Sequence, residues 1–218
     1  HEMIWDVFKA QIERIAANAP AGTPRWYVKK MFEFQFGDTL EYINNIYQYA
    51  VLDVSKQIID RCAVEERADG IVVLKVAKQA DGLLAELTPT ELAAAQSYAA
   101  KIKFAGTRLG VISIAPDEIE LDYNIYYDPI TPLTIVQSEM QDAVYDFIAN
   151  LDFNAAFNIT QFTDVLQEVK GVVDPIFQNA TNYTGAGADA FEIEVIPAAG
   201  YFIYRDTVEN MFTFIQKI

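Results

Sequence analysis

The sequence predicts an α+β fold. An N-terminal helical arm (residues 1–55) leads into an antiparallel β-hairpin/helix/β-hairpin domain (56–130), and a second small domain of a helix pair plus strands, with an acidic surface, follows (131–218). Three observations support this. Apolar residues recur at helical spacing near the start, the middle and the last third, strand-like alternation lies between them, and Pro and Gly clusters separate the blocks. With 218 residues, 52% hydrophobic and 22% charged, the chain has material for one large domain or two small ones.

Within the arm, Ile4, Trp5, Phe8, Ile12 and Ile15 alternate with Asp6, Lys9, Glu13 and Arg14 in the pattern of an amphipathic helix over 3–18, which Pro20, Gly22 and Pro24 end. Thr23-Pro24 reads as an N-cap with Pro at the first helical position. It opens a second helix through Trp26, Tyr27, Met31, Phe32, Phe34 and Phe36 to Gly37-Asp38. Six large apolar side chains between 26 and 36 exceed one helical stripe, so this helix needs two neighbours. Either residues 1–50 tuck under the later domain or they bind another chain. The second reading makes Trp5, Phe8, Trp26, Tyr27, Met31, Phe32, Phe34 and Phe36 the expected interface. Residues 42–52, with Tyr42, Tyr47 and Tyr49, read as a long connection.

From Lys56 the period changes. Strands at 58–65 and 71–76 flank Asp69-Gly70, a strong hairpin-turn signal. Thr88-Pro89-Thr90-Glu91 supplies a cap, a Pro at the first helical position and an early acid for an Ala-rich helix to about residue 105, stopped by Gly106. A second hairpin is expected from 108–115 and 118–127, where Ile119, Leu121, Tyr123, Ile125 and Tyr127 alternate with polar residues and Tyr126. Asp128-Pro129-Ile130-Thr131-Pro132 is the expected domain boundary. Helices follow at 136–151 and 157–169, then a strand entry at Gly171, a Gly-rich loop at 184–189, strands at 191–196 and 201–204, and a last helix over 206–215.

Charge and chemistry narrow the function. Sixteen Lys and Arg against 31 Asp and Glu give a net charge of -15, which disfavours nucleic acid and anionic membrane as partners. Split at residue 109, the halves carry 13 basic and 14 acidic, then 3 basic and 17 acidic, or -1 and -14; the acidic half then faces water or a basic partner. The first residues lack the pattern of a secretory signal, and no long apolar span is expected. The single Cys62 excludes an internal disulfide, and the single His1 excludes His-based triads and multi-His metal sites. Glu118, Glu120 and Asp122 share a strand face and Glu65-Glu66 are adjacent, but a solvated face reads the same way, so no metal and no cofactor are expected. Gly185-Ala-Gly187-Ala-Asp189 lacks the Lys and the helix of a phosphate loop, and three Asn-X-Thr sequons read as chance matches. The chain is therefore expected not to be an enzyme. An alternative is a carbohydrate- or peptide-binding module using Tyr123, Tyr126, Tyr127 and Trp26.

The helix Gln141-Asp-Ala-Val-Tyr-Asp-Phe-Ile-Ala-Asn-Leu, then Phe153-Asn154, the helix Thr160-Gln-Phe-Thr-Asp-Val-Leu-Gln-Glu-Val and Lys170-Gly171-Val172-Val173-Asp174 resemble the C-terminal region of baseplate J-like proteins, wedge components of phage and related contractile tails. The preceding strand ending Ile125-Tyr-Tyr-Asp-Pro129 resembles the domain before it, so the likeness spans roughly residues 56–183. The resemblance implies a structural subunit of a tail baseplate in the virion, assembled in the host cytoplasm. It would be joined to other baseplate or tail proteins and to copies of itself as a homo- or hetero-oligomer.

Overall fold

The computed structural model describes residues 19–80 and 82–217, so the helix expected over 3–18, with Trp5 and Phe8, lies outside the described residues. The chain divides into two compact units, His1–Ala115 and Pro116–Ile218. One boundary stands where two were expected, and it falls at 115/116. The described part of the arm belongs to the first unit, and Asp128 to Pro132 is a turn inside the second.

In the first unit Thr23 caps α1 (Pro24–Phe32), its hydroxyl accepting the Trp26 amide at 3.4 Å. The helix ends at Glu33, earlier than the apolar run suggests, and Gln35 bridges Gln57 in extended conformation. Phe34 and Phe36 therefore lie beyond the helix. Residues expected to be a connection form a hairpin, β1 (Glu41–Ile43) with β2 (Ile46–Gln48). Its turn residues Asn44 and Asn45 are both left-handed, φ 52° and 66°, as a type I′ turn requires.

The main sheet joins β3 (Arg61–Glu66) and β4 (Ile71–Ala80) in the hairpin expected around Asp69-Gly70. β5 (Leu83–Ala85) pairs with the end of β4. Thr88 and Glu91 close a full capping box on α2 (Pro89–Ile102). β6 (Arg108–Ile112) then returns parallel to β4, so β4, α2 and β6 make a β-α-β crossover. Met31, Phe34, Ile59, Leu74, Ala95 and Tyr98 belong to the core of this unit.

The second unit is a sheet in the order β10, β9, β7, β12, with β13 continuing the β12 edge along β7. β7 (Asp117–Tyr127) pairs antiparallel with β9 (Val172–Thr184), which pairs with β10 (Gly187–Ala190). β12 (Phe202–Tyr204) and β13 (Phe212–Gln216) run parallel to the two halves of β7, separated by the one-turn helix α5 (Val208–Met211). α3 (Leu133–Ala149) and α4 (Ile159–Gln167) cover one face, burying Val136, Met140, Val144, Phe162 and Leu166 against Ile119, Leu121, Tyr123 and Ile125. A small pair, β8 (Phe157–Asn158) with β11 (Glu194–Val195), completes the unit.

Two expectations are corrected here. The 108–115 and 118–127 segments do not form a hairpin: β6 pairs with β4, and β7 pairs with β9, β12 and β13. Pro116, which has no amide hydrogen, sits at the junction. The helix expected over 206–215 lasts one turn, because Phe212, Phe214 and Ile215 continue as the edge strand β13.

Candidate interaction surfaces

The expected interface on the arm is largely consumed by the core of its own unit. Tyr27, Met31, Phe32 and Phe34 are buried, and Phe36 is half-buried against the same cluster. Met31 and Phe32 lie on α1 while Phe34 lies past its end, so the helix needs no second neighbour to cover six apolar groups. The Phe34 ring meets Tyr98 at 5.4 Å, and the Tyr98 hydroxyl donates to Lys30 O at 2.7 Å. Trp26 is half-buried and meets Tyr27 at 5.0 Å and Phe104 at 5.2 Å.

The densest run of exposed apolar residues in this unit lies on the next segment. Tyr42 (63% exposed), Ile46, Tyr47, Val51 (74%), Leu52 (65%) and Val54 all project from residues 42–54. Tyr42 and Tyr47 stand opposite each other on the hairpin with ring centroids 5.2 Å apart. A buried hub, Gln35, holds this segment. Its Nε2 donates to Val51 O at 3.1 Å and to Asp38 Oδ2 at 2.8 Å, its Oε1 accepts the Asp53 amide at 2.8 Å, and its own amide donates to the Tyr49 hydroxyl at 3.1 Å. Sequence reasoning missed these residues. The available signal was Asn44-Asn45, a pair suited to two left-handed positions.

In the second unit the acidic residues expected on one strand face share it: Glu118 and Glu120 are half-buried and Asp122 is exposed, opposite the helices. The Arg205 guanidinium lies 2.7 Å from Glu118 and 3.8 Å from Glu120, and 4.0 Å above the Tyr183 ring. A guanidinium thus stands where a divalent ion bridging those two carboxylates would sit. A hydrogen bond to Glu120 holds the Tyr183 phenol above its ordinary pKa. At the far end Lys217 pairs with Asp174 at 2.8 Å.

Asp117, on the other face, is buried. Its Oδ2 accepts from Asn182 Nδ2 at 3.0 Å and the Ala198 amide at 2.9 Å, and its Oδ1 accepts the Ala199 amide at 3.0 Å. The carboxylate ties the loop before β12 to the start of β7, where Gly200, at φ 97°, packs so close to Phe153 that a Cβ would lie 2.5 Å from the ring. Gly171, at φ 88°, plays the same part at the entry to β9: a Cβ there would lie 2.8 Å from Thr131. Its carbonyl accepts the Asp128 amide at 2.9 Å.

No protein-family model matches this chain, and no curated protein matches it. Cys62 is half-buried against the core, and burial pushes its thiol far above the usual range, away from nucleophilic use. A hydrogen bond from Lys75, helped by Arg67, holds Glu65 below the ordinary carboxylate range. Of the aromatics proposed for ligand stacking, Tyr123 is fully buried, its hydroxyl 3.0 Å from Thr163, while Tyr126, Tyr127 and Trp26 are half-buried. Tyr123 is thereby corrected from a contact residue to a core residue. Among the described residues no group of three His, Cys, Asp or Glu is placed to hold a metal ion, and no helix is long and apolar enough to cross a membrane.

Proposed function

We propose that this protein is a structural subunit of a phage or phage-like tail baseplate, of the wedge type, and works through contacts with other baseplate or tail proteins and copies of itself. The observation that carries the contact role is the apolar surface over residues 42–54, where three large side chains of the β1–β2 hairpin and three of the segment after it, pinned by Gln35, face solvent. The baseplate assignment rests on the resemblance over residues 141–174. Its residues form a helix pair, α3 and α4, that delivers the chain through the Gly171 turn into β9.

The test is recovery of the tagged chain from its source cells after chemical crosslinking, with bound proteins identified by mass spectrometry. Tail or baseplate proteins crosslinked near residues 42–54 are expected, and Leu52→Asp is expected to reduce their recovery. A monodisperse monomer that joins no co-expressed tail protein, in light scattering and negative-stain microscopy, overturns the reading.

A further inference from the structure

The two outer edges of the second unit's sheet are treated differently. On the β9 side, β10 covers residues 181–184. Lower down, Pro175 offers no N–H, and Gln178 is the extra residue of a bulge between the Asn179–Asp122 and Phe177–Tyr123 pairs. The Gln178 Nε2 also donates to the carbonyls of Ile176 and Phe177, at 3.3 and 3.1 Å. Such devices blunt an edge against further pairing.

The β13 edge has none of them. Its five residues, Phe212, Thr213, Phe214, Ile215 and Gln216, contain no Pro and no charge, and they run in unbroken parallel register with 123–127 of β7. The Lys217 amide donates to Tyr127 O, so alternation along the ladder turns the backbone groups of Thr213 and Ile215 toward β7 and those of Phe214 and Gln216 outward. Among the described residues no strand pairs with that outer side. A groove of about 280 Å³ lies beside it, lined by Thr134, Gln137, Ser138 and Gln141 of α3, Phe214 of β13 and Glu209 of α5.

We infer that the β13 edge is a strand-addition site for an extended, Lys- or Arg-bearing segment of another protein. Added main chain would pair with Phe214 and Gln216, and alternate side chains would enter the groove, where amides and hydroxyls offer hydrogen bonds and the Glu209 carboxylate favours a cation. Charge chooses between occupants. A second copy would bring together two units that each carry 17 acidic and 3 basic residues, a net of -14 apiece, whereas a basic segment is attracted by the same field. The site would serve such a segment whether or not the protein belongs to a baseplate.

The test uses the full chain and two labelled peptides of about ten residues, one alternating lysine and valine, the other glutamate and valine. The lysine peptide is expected to bind at least about tenfold more tightly by fluorescence anisotropy and to slow amide exchange at Phe214 and Gln216. Gln216→Pro removes one outward N–H and is expected to weaken that binding at least about tenfold with thermal unfolding unchanged. Glu209→Lys is expected to weaken lysine-peptide binding and narrow the preference between the two peptides, and it decides the matter if the proline variant misfolds. Equal or absent binding of the two peptides, or protection confined to β9 or to the outer sheet face, overturns the inference. A dimer seen by sedimentation without peptide, with Phe214 and Gln216 already protected, overturns it in favour of a second copy.

Discussion

The first unit carries 13 basic and 14 acidic residues and the second 3 and 17, yet each builds its core from aliphatic and aromatic groups packed between helices and one sheet. Their surfaces diverge instead. The first exposes an apolar hairpin, while the second exposes a carboxylate row on which Arg205 and Lys217, two of its three cations, are already paired. Surface charge is thus free to vary where core composition is not, because burial is priced by area and an exposed charge only weakly by its neighbours.

The sharpest way to break this comparison is to cut both cores. Phe162→Ala in the second unit and Phe34→Ala in the first are each expected to cost about 3 to 5 kcal/mol in chemical denaturation, with equal losses despite unequal charge. Next comes the contrast between neighbours on β7. Asp117→Ala orphans the buried Ala199 amide and the Asn182 side chain and releases the Ala198 amide, and is expected to cost about 3 kcal/mol. Glu118→Ala, on the solvent face, is expected to stay within about 1 kcal/mol.

Alkali should find the units alike. Burial, partly offset by the Thr163 bond, pushes the Tyr123 phenol up to about 12, and burial raises Tyr98 in the first unit as well. Because the folded state raises the Tyr123 value, its stabilisation is complete below the ordinary tyrosine range near pH 10 and is lost as pH rises through about 12, and Tyr98 contributes in the same direction. Tyr123→Phe is expected to move loss of exchange protection in the second unit to higher pH. The smallest effect is expected just beyond the hairpin, where Leu52→Ser should change stability by less than about 0.5 kcal/mol while lowering partner recovery.

Signals that act over a few residues were legible in the sequence. Asp69-Gly70 marks the β3–β4 turn, and Thr88, Pro89 and Glu91 mark the start of α2, because caps and tight turns are decided locally. Partners chosen at long range were not. Residues 108–115 and 118–127 both read as strands, but nothing near them tells that one joins β4 in parallel and the other opens a new sheet. The burial of the arm's aromatics escaped notice for a related reason. The apolar run from Trp26 to Phe36 crosses a helix end at Glu33, so counting it as one helix overstated what one face had to bury, while the exposed hairpin beside it carried only an Asn-Asn turn as its mark.

The parallel pairing of β12 and β13 with β7 bears on how the second unit is made. Phe202 meets Asp117 and Gln216 meets Tyr127, residues 85 and 89 apart in the chain. During synthesis that side of β7 waits open until β12 and β13 leave the ribosome, so closure of this sheet is a high-contact-order step. A nascent chain halted at Met211 would hold an unpaired edge from Tyr123 to Tyr127, the point at which a holding chaperone would be most needed.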